Sequence, residues 1–156
     1  MSMKKKTAGR AAGTSGDPLN TFLTDQTNHR LTTAEYLAQG VTHVGPKQVE
    51  QVEAELPELR KRIAAITDSR RLRNRLEVLA QFLAESSNGV AAATEARRDA
   101  AFALAYFLHG SERIPNETPQ YGLLDDALVV EAVLERNSAA LREHWHRAGR
   151  ELPDPI

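Results

Sequence analysis

No cysteine occurs among the 156 residues. Disulfides, thiol nucleophiles and cysteine-based zinc sites are excluded together, and the chain suits a reducing compartment. Aromatic residues are scarce at 5%, so the core must come from Leu, Ala, Val and Ile. Neither sign of charge dominates: 20 Lys and Arg stand against 21 Asp and Glu, a net charge of −1. No global field then draws the chain to nucleic acid or to an anionic membrane. Long apolar runs are missing too. The longest, Ala100 to Leu108, has nine residues, against the ~20 that a spanning helix needs. Lys4, Lys5 and Lys6 are not followed by an apolar segment, so the start does not read as a secretory signal. The expectation is a soluble cytoplasmic protein with no membrane span.

What remains is ample for one domain. The hydrophobic share is 41% and the charged share 26%, ordinary values for a globular chain of this length. Abundant alanine favours helix. Residues 1–20 hold little to bury and read as a disordered tail; Phe22 and Leu23 are the first side chains with a reason to dock. Thr32 and Glu35 have the spacing of a capping box, which starts a short helix. Gly45-Pro46 opens a longer one. There Val49, Val52, Leu56, Leu59, Ile63 and Ile66 recur at steps of three and four, one apolar stripe. Pro57 lies inside the stripe and predicts a kink or break near Leu56. The stripe keeps its phase across the proline, which favours a kink. Glu58 and Arg62 are spaced to pair on the outer face.

Asp68 or Ser69 caps the next helix, with Leu72, Leu76, Leu79, Phe82 and Leu83 inward. After a turn at Ser86–Gly89, a helix runs from about Val90 to Leu108. Its first half carries charge; its second half is apolar all round and so belongs at the centre of the fold. A loop with Pro115 and Pro119 follows. The last helix starts near Tyr121–Asp125, loosens at Asn137 and runs to about Ala148. The fold expected is an all-α single small domain of about five helices over residues 21–152, organised around residues 98–136.

Residues 103–126 read ALAYFLHGSERIPNETPQYGLLDD. This stretch resembles the YkvA-like family, also called domain of unknown function 1232. The resemblance rests on Ala103, Leu104, Ala105, Tyr106, Ile114, Pro115, Pro119, Gly122, Leu124, Asp125 and Asp126. The chain departs from the family pattern at His109-Gly110, at Glu112 and at Asn116, and Arg113, Glu117 and Thr118 replace apolar residues. The resemblance implies a helical fold and no particular mechanism.

Read from the residues alone, Gly110, Pro115, Pro119 and Gly122 are structural loop residues that let the chain reverse. Asp125 and Asp126 cap the following helix. Asp126 sits at the edge of the arc formed by Val130, Val133, Leu134 and Leu141, so it faces protein and needs a partner. Glu131, Glu135 and Arg142 face solvent. The sharper alternative is a divalent-metal site made by Glu112, Asp125 and Asp126, with His109 or Asn116 assisting. That alternative makes the chain a metal-binding protein or a metal-dependent enzyme. Arg70, Arg71, Arg73 and Arg75, with Arg60, Lys61 and Arg62 upstream, form the densest basic stretch and a candidate anion or nucleic-acid site. It lacks interleaved aromatics for base stacking. His144 and His146, two apart on a helix, point to different sides, and Trp145 between them is a core anchor.

No nucleophile–base set, phosphate loop or strong metal spacing is present. The function expected is a non-enzymatic interaction or scaffold module with no cofactor and a protein partner. The Val49–Ile66 stripe could instead seat a second copy of the chain.

Overall fold

A computed structural model describes residues 17–25, 31–86, 91–109 and 119–153. Among them are eight α-helices and no strand: α1 Pro18–Thr24, α2 Thr33–Gly40, α3 Pro46–Ala54, α4 Leu56–Ala64, α5 Arg70–Glu85, α6 Ala91–His109, α7 Pro119–Arg136 and α8 Ser138–Arg147. A 3-10 turn at Val41–His43 extends α2. The all-α class is as expected; the count of about five is too low. Two expected helices are each split in two, and α1 lies partly inside the stretch read as tail. Asp17 caps α1 by accepting from the Leu19 amide at 3.0 Å. Leu19, Phe22 and Leu23 then bury one face of this short helix.

The helix starts follow local chemistry. The Glu35 amide donates to Thr32 Oγ1 at 3.1 Å, and the Thr32 amide donates to Glu35 Oε1 at 2.9 Å. This is the reciprocal capping box read from the sequence. Ser69, not Asp68, caps α5, its Oγ accepting from the Leu72 amide at 3.1 Å. Pro46 opens α3 behind Gly45.

The helix through Pro57 breaks rather than merely kinks. Glu55, at φ −92° and ψ 0°, ends α3 and precedes α4. Pro57 becomes the second residue of α4, where its missing N–H costs no helical bond. The two halves then take different neighbours, α3 against α6 and α4 against α5. The apolar stripe survives the break: Val52, Leu56, Leu59, Ile63 and Ile66 are all buried within the chain. That face is already covered, so it does not serve as a seam for a second copy.

Helix α6 is the hub. It packs against α1, α3, α5, α7, α8 and the 3-10 turn. Every residue from Ala100 to Tyr106 is buried, as an all-round apolar helix requires. Half of the chain's few aromatics gather against it. Phe22, Tyr36, Phe102 and Tyr106 form one cluster with ring centroids 4.8–6.5 Å apart. Gly40 lets α2 come in close: a Cβ there would sit 2.3 Å from Phe102 Cε1.

Candidate functional site

The Asp-Asp motif lies differently from the capping role expected of it. Helix α7 begins at Pro119, so Asp125 and Asp126 stand in its second turn. Amides at that depth already bond within the helix, so a second-turn position is not the first-turn cap expected. The sequence misled because Pro119 and Gly122 read as loop. Instead Pro119 takes the first helical position, where proline is favoured, and Gly122 is helical despite its backbone cost. Neither is a loop residue. Glu112, Gly110, Arg113, Pro115 and Asn116 lie outside the described residues, as do the side chains of His109 and Asp125. Asp126 is 6% exposed and faces the core, beside the buried Val129, Val130 and Val133, as its place on the arc requires.

The basic stretch divides. Arg60, Lys61, Arg62, Arg70 and Arg71 are exposed around the turn that joins α4 to α5. Arg62 pairs with Glu58 at 3.4 Å, as its spacing predicted. Arg73 is half-buried and donates through Nη1 to the Ile66 carbonyl at 3.3 Å, closing that turn. Arg75 leaves the group altogether and lines a cleft against α7. Helix α5 carries no acid in its first turn. Arg70, Arg71 and Arg73 therefore crowd the positive end of its dipole, which disfavours cations by ~0.3–1 kcal/mol each.

His144 and His146 separate as expected: His146 is exposed, while His144 packs edge-on to Phe82 at 5.2 Å. Trp145 is buried. What the histidines conceal is a clasp. Glu85, the last residue of α5, meets His144 Nε2 at 2.9 Å and Arg150 Nη2 at 2.6 Å through one carboxylate oxygen. Gln81 Nε2 donates to the other oxygen at 3.1 Å. These contacts hold the Glu85 carboxyl at a pKa of about 2, with the His144 hydrogen bond the largest cause. Arg150 also lies over the Trp145 ring, 5.3 Å from its centroid.

Two polar knots went unread in the sequence. Asp99, on the hub helix, is 1% exposed. Its Oδ2 accepts from Asn137 Nδ2 at 3.0 Å, with Arg136 Nε at 3.5 Å. Asn137 also donates to the Val133 carbonyl at 2.8 Å. Two residues earlier on the same helix, Arg97 pairs with Glu53 of α3 and donates to the Leu83 carbonyl and Ser86 Oγ, both at 2.8 Å. The only available signal was charge in the first half of a helix that had to be central. Its partners stand 38 and 44 positions away.

Among the described residues no three His, Asp or Glu side chains gather as a metal site, and no helix is long and apolar enough to cross a membrane. No family model, curated protein or solved structure matches the chain. The YkvA-like resemblance over residues 103–126 thus rests on the residues that suggested it alone.

Proposed function

We propose that this chain is a non-enzymatic interaction module that binds an acidic protein surface through the joint between α4 and α5. One observation carries this reading. Arg60, Lys61, Arg70 and Arg71 are exposed there, and among the described residues none of them makes an ion pair. Elsewhere the well-placed charges are spent on joining helices, as with Arg97 and Glu53 or Asp99 and Asn137. The crowding of cations at the start of α5 costs stability that an acidic partner would return. The absence of aromatics among these cations favours a protein over a single-stranded nucleic acid.

The test compares the full chain with a variant carrying Arg60→Glu, Arg70→Glu and Arg71→Glu. All three positions are exposed, so the fold should hold. An oligo-glutamate peptide, a single-stranded RNA and a duplex DNA serve as probes at ~150 mM salt. Binding of the peptide by the wild type and its loss in the variant support the reading. Equal behaviour of the two proteins sinks it. RNA or DNA retained at that salt, in preference to the peptide, makes the joint a nucleic-acid site instead.

A further inference from the structure

A second cleft, separate from the basic joint, carries an inference that does not depend on the proposal above. It lies where α5, α7 and α8 meet the chain's last described segment, and encloses about 350 Å³. Its charged lining comes from three helices: Arg75 of α5, Glu131 and Glu135 of α7, and Arg142 of α8. Its apolar lining is Leu134 and Leu152.

Among the described residues, none of these four charged side chains makes an ion pair or a side-chain hydrogen bond. Acid and base do find each other nearby, as Arg147 and Glu143 do at 2.9 Å on α8. Glu131 and Glu135 are one helical turn apart, a like-charge spacing that destabilises a helix unless a cation intervenes. Arg75 is half-buried, and its Nε is shielded from solvent with no acceptor, which leaves a donor unsatisfied. Two cations and two anions thus face one hollow without neutralising each other.

We propose that this cleft binds a small zwitterion of the α-amino acid class with an aliphatic side chain. The carboxylate lies on the guanidinium groups of Arg75 and Arg142, whose planar forks suit two parallel hydrogen bonds. The ammonium lies between Glu131 and Glu135. The aliphatic body rests on Leu134 and Leu152. The volume falls within the range of small-molecule sites and is too small for a folded partner.

Titration calorimetry of the full chain with L-leucine tests this, alongside L-leucinamide, which lacks the carboxylate, and 4-methylpentanoate, which lacks the ammonium. Glu135→Gln and Arg142→Gln provide the protein controls, since both positions are exposed and each change should leave the fold intact. The expected result is saturable binding of L-leucine. Each one-ended analogue and each variant should weaken it at least about tenfold, because each removes a charge-assisted hydrogen bond. No saturable heat with L-leucine up to about 10 mM overturns the proposal. So does equal binding of the analogues or equal binding by the variants.

Discussion

Single positions show where this chain tolerates no change. Gly40 is the clearest, because no atom can be added between α2 and Phe102 without moving the ring. Gly40→Ala should lower stability by ~1–3 kcal/mol, the usual cost of overpacking, read from chemical denaturation. Asn137 is the second. Its amide is a hydrogen-bond donor to a buried aspartate, so Asn137→Ala should cost ~1–3 kcal/mol by leaving Asp99 short of a partner. A smaller loss than Ala132→Gly on the preceding helix, α7, produces would refute that role. Glu85 sets a pH dependence of known sign. Its carboxyl sits at about 2 in the fold against an ordinary 4.5. The clasp therefore contributes fully above pH 4.5, and that contribution is lost as pH falls towards 2. Glu85→Gln should lower the melting temperature at neutral pH, and the gap from wild type should close across that acid window. Because the clasp is part-exposed, solvent screens it and the effect should be modest.

Between elements, the two interruptions matter more than the helices they separate. Pro57 looks like a defect inside a long helix but occupies the second position of α4, where its missing N–H costs no helical bond. Pro57→Ala should thus destabilise the chain by ~0.4–1 kcal/mol through the unfolded state, whereas removing a true interior proline would stabilise it. Thermal melts of the two proteins decide the sign. The sequence made this region partly legible. A stripe at steps of three and four marked every inward side chain from Val52 to Ile66, because helical periodicity survives a local break. What it could not show was that the halves diverge to α6 and α5, since a change of neighbour leaves no trace in spacing. The same holds at the Asp-Asp motif. Asp126, Val130, Leu134 and Trp145 fell on the right arc, yet the helix starts two to six residues before the Tyr121–Asp125 expected, because Pro119 reads equally well as a loop residue or a first helical residue.

For the molecule as a whole, one rod and two polar knots explain the arrangement. The all-round apolar run Ala100–Tyr106 made the hub of the fold legible, since such a helix has only one place to go. Asp99 and Arg97, just before that run, were visible as charges but not as paired ones. Their partners come from α7–α8 and α3, and long-range pairing is not written in local sequence. The basic joint was legible as a cluster, and the structure trimmed it by assigning Arg73 to the turn and Arg75 to the cleft. Both candidate sites therefore share α5, the joint at its start with α4 and the cleft along its flank with α7 and α8, and occupancy of either can be varied by exposed substitutions that spare the core.

Trp145 has a further use. It is the chain's single indole, held at the end of α8 with Arg150 above its face and Leu152 two residues further on. An intrinsic fluorophore thus stands next to the Glu85 clasp, between two of its members, His144 and Arg150. Emission from an unlabelled sample becomes a local gauge: quenching or a red shift as the pH falls towards 2 registers the clasp opening.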